Sequence, residues 1–292
     1  MNVRDNFNPY IPKEVKLSLK KTLAKVTSFG SSDFITAELY SPSTHLLNNK
    51  GKLLRPALVF LSAQAMGERC SDYIDLAAAI ELLHVSSLVH DDIIDNGKMR
   101  RGVKTVNKTY GNEAALLAGN ALISKTIQLS ARYGKDVMHE VSSTALKMCA
   151  GELMDYKSQK GDTLSIEKYI KIAELKTASL IGTSCDIVAT HIGSKSRPML
   201  YRYGLNIGMA FQIRDDVIDF SKANNGSVSD KYGANIVASF MRKYNINSAK
   251  AMKKAAAMNH HYIELAQKSL NKNNESELLV SYARMIKIDV YS

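Results

Sequence analysis

The sequence predicts an all-α protein, one large helical bundle with little or no sheet. Three observations carry that prediction. Apolar residues recur at intervals of three and four along most of the chain, as they do in helices that bury one face. Runs in which β-branched and aromatic residues alternate with polar ones, the signature of strands, are sparse. The 5 prolines stand at positions 9, 12, 42, 56 and 198, so no helix-breaking residue falls between Pro56 and Pro198 or after Pro198.

The elements follow in order. In 73–90, Leu76, Ala79, Ile80, Leu83, Val85 and Leu88 give helical periodicity. Comparable patterns run through 113–132, 136–156, 166–192, 199–220 and 249–270, and about ten helices are predicted in all. Gly67, Gly97, Gly111, Gly134, Gly161, Gly193 and Gly226 lie where these helices would end. The most polar segment, Ser221–Gly233, reads as an ordered loop or lid. No repeat of solenoid period is visible, and no Gly/Ser/Pro linker divides the chain, so one domain spanning 1–292 is predicted.

Composition narrows the class. A domain of 292 residues can bury about 75% of its unfolded surface. At 45% hydrophobic and 23% charged residues, collagen-like, disordered and coiled-coil readings are excluded. Cys70, Cys149 and Cys185 are far apart and odd in number, which argues against a disulfide framework or a cysteine zinc site and fits a reducing compartment. Met1 to Pro12 has no apolar core of a signal peptide, and no stretch reads as roughly 18 apolar residues, so no membrane span and a cytoplasmic location are expected. With 39 Lys+Arg against 28 Asp+Glu the net charge is +11, which suits an anionic partner. A basic run such as Lys250, Lys253 and Lys254 is by itself a solvated face.

Two segments share one chemical pattern: Asp91-Asp92-Ile-Ile-Asp95 and Asp215-Asp216-Val-Ile-Asp219, each near the end of a long apolar helical stretch. Their outer aspartates are spaced i, i+4, on one helical face. Like charges so placed cost a few tenths of a kcal/mol per pair, and carboxylates opposing the negative end of the helix dipole cost another ~0.3–1 kcal/mol each. An acidic solvated terminus explains one such cluster but hardly two, so a positive group is expected there. Aspartate oxygens are hard ligands that suit Mg²⁺, which keeps several waters and bridges to substrate phosphates. His90 adjoins Asp91, but zinc lacks a second His at ligand spacing and a nearby cysteine. Candidate cationic partners are Lys52 and Arg55 at a Gly-containing helix entry, Arg100 and Arg101 after the first cluster, and Lys176-Thr177 inside an apolar helix.

In order, GKLLRP, ELLHVSSLVHDDIID, MRRG, ELKTASL and FQIRDDVID make the sequence resemble a trans-type polyprenyl diphosphate synthase of the isoprenoid synthase fold, from about Lys50 to Asp219. The resemblance implies helices around a central cavity and a prenyltransferase that condenses isopentenyl diphosphate with an allylic diphosphate. It implies catalytic Asp91, Asp92, Asp95, Asp215, Asp216 and Asp219. Among them Asp91, Asp95 and Asp215 would ligate Mg²⁺ and the other three would support them. Lys52, Arg55, His84 and Arg101 would hold isopentenyl diphosphate; Arg100, Lys176, Thr177 and Gln212 would hold the allylic substrate. It also implies a homodimer, with 113–132 and 136–156 as candidate interface helices. Ionisation of the allylic C–O bond would be helped by metal and cations on the departing diphosphate. Phe211 is a candidate for stabilising the carbocation through its ring face.

The chain departs from the family pattern at three places. Lys50-Gly51-Lys52-Leu53 replaces a Gly-Gly-Lys-Arg segment, Asn120 stands where an aspartate is common, and only Ser229 to Ala234 remains of the Gly-Lys segments after the second motif. Lys222 and Lys231 are candidates for the missing charge. Small Ser86 and Ser87 stand where short-chain members carry a ring as a floor to the hydrocarbon tunnel, which predicts products longer than twenty carbons, in the range of twenty-five to forty. The alternatives are a geranylgeranyl diphosphate synthase, a non-catalytic partner subunit, or a terpene cyclase, which would have no use for Lys52, Arg55 and His84. A nucleic-acid-binding module would interleave clustered cations with aromatic residues, and this chain does not.

Overall fold

The computed structural model describes residues 11–49, 51–158, 164–222, 235–270 and 276–288. Its helices are α1 Lys13–Thr27, α2 Ala37–Thr44, α3 Leu54–Ala65, α4 Ile74–Ile94, α5 Val106–Tyr110, α6 Asn112–Ser130, α7 Lys135–Ser158, α8 Ile166–Ala173, α9 Ser179–His191, α10 Arg197–Lys222, α11 Ile236–Tyr244, α12 Ser248–Ser269 and α13 Glu277–Arg284. The fold is all-α, as the periodicity predicts. Side-chain caps set several starts: Thr36, Ser165 and Asn247 each accept a backbone N–H of the first turn of α2, α8 and α12.

Two details differ from the expectation. The stretch 166–192 is broken by a π-helical turn, Glu174–Ala178, between α8 and α9. The MRRG segment forms an antiparallel hairpin of β1 Met99–Arg100 and β2 Val103–Lys104, its turn made by Arg101 and Gly102 at φ 54° and 82°. Gly67, Gly97, Gly111, Gly134 and Gly193 do follow or separate helices, whereas Gly161, Gly226 and residues 223–233 of the predicted loop lie outside the described residues. Ser221 and Lys222 are the last residues of α10.

The chain packs as two compact units, Met1–Ser142 with Ile187–Ser194, and Ser143–Asp186 with Lys195–Ser292. In the first, α4 is the core helix. Leu76, Ala77, Ala78, Ala79, Ile80, Leu82, Val85 and Val89 are buried around its circumference, against α6, α1 and α3. The stretch Cys70–Ile94 is therefore apolar and long enough, by length and composition, to cross a bilayer, where the sequence reading found no such stretch. Its burial and the carboxylate of Glu81 at its middle give it the character of a core helix.

In the second unit α10 packs on α12, α11 and the π-helical turn. Small residues set that approach. A Cβ at Gly204 would lie 2.7 Å from the Ile181 carbonyl, and one at Gly208 would lie 2.5 Å from the Ala178 Cα. This contact brings Gln212, one turn further along α10, beside Thr177.

Candidate active site

The first acid cluster closes α4. The helix ends as Asn96-Gly97 predicts: Asn96 takes a left-handed φ of 52° and the Gly97 N–H donates to the Asp92 carbonyl at 2.9 Å. Asp92 turns inward and is buried. The Nε and Nη2 of Arg100 donate to its two carboxylate oxygens, each at 2.8 Å, and the Asn107 amide donates to its backbone carbonyl at 3.0 Å. Asp91 and Asp95 stay on the accessible face, half-buried and exposed. His90 turns away toward α6, its Nε2 3.3 Å from the Leu116 carbonyl, so it is a packing residue and not part of a metal set with Asp91.

The same unit holds the predicted cationic residues at the start of α3 and in the hairpin turn. Lys52 is exposed, and Arg55 and Arg101 are half-buried. The Nη1 of Arg101 donates to the carbonyls of Leu46 and Asn49 at 3.4 and 3.3 Å, and its Nη2 lies 3.5 Å from Glu81 Oε1. Leu53, where the family pattern has a basic residue, is buried at a left-handed φ of 49° and supplies no charge. Burial, reinforced by Arg55, Arg101 and Arg100, holds the His84 imidazole well below its usual pKa. His84 is therefore neutral at neutral pH and can serve a diphosphate as a hydrogen-bond donor, not as a cation.

The second cluster is built alike. Asp216 is the buried member. Its Oδ1 accepts from Gln212 Nε2 at 2.8 Å, its Oδ2 from the Ile236 N–H at 2.9 Å, and its carbonyl from the Asn235 amide at 3.1 Å. Burial pushes its carboxyl up to about 7, against the lowering effect of the Ile236 and Gln212 hydrogen bonds. Asp215 is half-buried and Asp219 exposed, one turn short of the end of α10.

Thr177 Oγ1 donates to Gln212 Oε1 at 2.7 Å, so a relay runs from Thr177 through Gln212 to Asp216. Lys176, on the π-helical turn, lies 2.6 Å from Glu152 Oε2 and 2.8 Å from Asp155 Oδ2. A Cβ at Gly151 would collide with the Lys176 backbone nitrogen. The Arg214 guanidinium sits over one face of Phe211, 5.1 Å from its ring centroid. Lys222 is exposed, 3.9 Å from Asp219, and Lys231 lies outside the described residues.

The donor set fits a hard cation. In each cluster the middle carboxylate is buried, and the outer pair, at i and i+4, presents aspartate oxygens on the accessible face. Among the described residues no three His, Cys, Asp or Glu side chains gather around one point. Aspartate oxygens without His or Cys are a hard donor set, which suits Mg²⁺ better than zinc.

Comparison with known proteins decides the family. A family model described as polyprenyl synthetase matches residues 36–282. The chain belongs to the polyprenyl synthetase family. It is similar to a geranylgeranyl pyrophosphate synthase of Geoglobus acetivorans, 36% identical over 207 residues that cover 68% of this chain and 64% of that protein. It is also similar to a geranylfarnesyl diphosphate synthase of Natronomonas pharaonis, 32% identical over 223 residues that cover 68% of this chain and 65% of that one. The chain thus spans just under two thirds of the length of these curated relatives. Over the fold it resembles the solved geranylgeranyl pyrophosphate synthetase of Geoglobus acetivorans, with a TM-score of 0.82 and 28% identity, covering 94% of this chain and 98% of that one.

Within this member of the family, sequence reasoning missed the residues that hold the others. Asn107 and Asn235 brace the two buried aspartates, Glu152 and Asp155 flank Lys176, and Glu81 underlies Arg101. Two of these carried a signal: a carboxylate in the apolar run of α4, and an asparagine directly before the apolar start of α11. The structure also moves one expectation. Ser86 is buried, and its Oγ donates to the Gly119 carbonyl at 3.1 Å, so it fills the seam between α4 and α6 instead of lining an open tunnel.

Proposed function

We propose that this chain acts as one polyprenyl synthase domain that condenses isopentenyl diphosphate with an allylic diphosphate, making a trans-polyprenyl diphosphate longer than twenty carbons. The duplicated acid cluster carries the reading. Two helix ends each bury one aspartate and present two more, a costly arrangement unless bound cations offset it. Asp91, Asp95 and Asp215 would hold Mg²⁺, which when bound supplies the positive charge that stabilises a departing diphosphate. Asp92, Asp216 and Asp219 support them, the first two through the hydrogen bonds described above.

Lys52, Arg55, His84 and Arg101 bind the diphosphate of isopentenyl diphosphate and orient its double bond. Lys176 and Thr177 bind the allylic diphosphate and add charge or a hydrogen bond where negative charge develops as the C–O bond breaks. Arg100 and Gln212 fix the buried aspartates, a positioning task beside their assigned contact with the allylic substrate. The double bond then attacks the allylic carbocation, and loss of a proton leaves a chain five carbons longer.

A homodimer is part of the proposal. Leu116, Leu117 and Ile127 are exposed on α6, and Leu146 and Leu153 are exposed on α7, large apolar residues at helical spacing that a partner surface would cover. Light scattering at micromolar concentration tests the dimer. The activity is tested by incubating the purified chain with Mg²⁺, labelled isopentenyl diphosphate and each allylic primer, then sizing the products. Elongation is expected, and chelator abolishes it. No turnover from the chain alone would favour a partner subunit of a heteromeric synthase.

A further inference from the structure

The middle of α4 carries an acid that the reaction does not use. Glu81 is 3% exposed, one turn before His84, on a helix otherwise lined with Leu, Ile and Ala. Burial raises its carboxyl pKa, and the positive charges of Arg101 and Arg55 act against that rise. A buried carboxylate is tolerated where cations and hydrogen bonds answer it.

The Arg101 guanidinium is enclosed from several sides. Glu81 Oε1 lies 3.5 Å from Nη2, and the Leu46 and Asn49 carbonyls accept from Nη1. Gly51 forms a further wall: a Cβ there would stand 2.5 Å from Nη2 and 2.7 Å from Cζ, so a side chain at this position would push the planar group aside. Arg101 itself holds a left-handed backbone at φ 54° in the hairpin turn. A fixed acceptor beside Arg101, together with the Leu46 and Asn49 carbonyls, sets its guanidinium plane before substrate enters.

We infer that Glu81 is a positioning residue that aims Arg101 at the diphosphate of isopentenyl diphosphate, with Gly51 as the surface on which the Arg101 guanidinium lies. This rests on the proposed function and concerns one of its two substrates. Glu81 touches no reacting atom; it acts through Arg101.

The test uses the full chain, with kinetics in both substrates and calorimetric binding of isopentenyl diphosphate in the absence of metal. Glu81→Gln is expected to raise the KM for isopentenyl diphosphate about tenfold, the scale of one charge-assisted hydrogen bond. The KM for the primer stays unchanged, kcat changes little, and the calorimetric Kd weakens by a similar factor. Gly51→Ala, which leaves the carboxylate and displaces the guanidinium, reproduces the same split. In an Arg101→Ala background, Glu81→Gln adds much less, because part of its action is already gone. Should Glu81→Gln destabilise the fold, Glu81→Leu, which replaces a buried charge with packing volume, gives the same readings. Equal rises in both KM values, or full additivity with Arg101→Ala, would overturn the inference. If the unaltered chain binds no isopentenyl diphosphate, the proposed function fails instead, and the two failures are told apart by that control.

Discussion

The side-chain amide of Asn235 donates to the backbone carbonyl of Asp216 at 3.1 Å, while its own Oδ1 caps the first turn of α11 by accepting from Val237 and Ala238. Asn107 makes the matching bond to Asp92 at 3.0 Å. In both clusters, then, an asparagine from the following segment ties down the aspartate that faces inward. The outer aspartates keep their accessible face because the middle one is anchored through main chain and side chain together.

Asn235→Ala removes a helix cap and leaves a buried carbonyl short of a donor. It is expected to lower stability by about 1–2 kcal/mol, and Asn107→Ala, which is no cap, by about 0.5–1.5 kcal/mol. Urea unfolding measures both. An Asn235→Ala protein as stable as the parent would show that the bond has no structural weight.

The acids within each cluster separate into two kinds. Asp91→Ala and Asp215→Ala are expected to fold normally and to lose two or more orders of magnitude in kcat, the scale of removing such electrostatic stabilisation. Asp92→Ala strands the Arg100 guanidinium, half-buried against it, and lowers the melting temperature as well. Turnover of Asp91→Ala near the parental rate would remove the metal role from the first cluster.

Asp216 predicts a pH dependence of the metal-free protein. Its folded pKa of about 7 lies above the ordinary carboxyl value near 3.9 of the unfolded chain. Between those values the folded state holds a proton that the unfolded state has released, so the Asp216 contribution to stability falls as pH rises from about 4 to 7. Thermal melts in chelator across that window are expected to show the fall, and Asp216→Asn flattens it. A parent and variant with the same slope would place the titration elsewhere.

The two cation sets are expected to act on different substrates. Arg55→Ala raises the KM for isopentenyl diphosphate far more than that for the primer, and Lys176→Ala does the reverse. Steady-state kinetics in both substrates distinguishes them, and equal effects from either variant would end the division into two pockets.

The helices were legible because burial of one face imposes a three-to-four spacing that survives in the sequence, and the acid clusters because like charges at i, i+4 oppose local physics. The supporting residues were not. Asn107 and Asn235 act on residues 15 and 19 positions upstream, and no local rule pairs an amide with a carbonyl at such a distance. The hairpin at Met99–Lys104 is too short for strand periodicity, and the π-helical turn at Glu174–Ala178 keeps the apolar pattern of the helices on either side. Ser86 showed its size in the sequence but not its direction, which the Gly119 carbonyl settles.

That direction changes how product length should be probed. Ser86 lies in a seam where small residues let α4 and α6 approach, and a ring forced in there costs about 1–3 kcal/mol through overpacking. Ser87 is different: it is half-buried, and its Oγ turns back to the His84 carbonyl at 2.8 Å. Ser87 does not carry the ring that the family resemblance implies as a tunnel floor in short-chain members. Each added isoprene unit can then bury further apolar carbons, at ~0.8 kcal/mol per CH₂, which favours continued elongation. The parent is expected to make products of twenty-five to forty carbons. Ser87→Phe is expected to shorten them with little loss of stability, whereas Ser86→Phe lowers the melting temperature. Chromatographic sizing of the products from each variant, beside thermal melts, separates the two roles. A parent that stops at fifteen or twenty carbons, or a Ser87→Phe variant with the parental distribution, would place the floor on another helix.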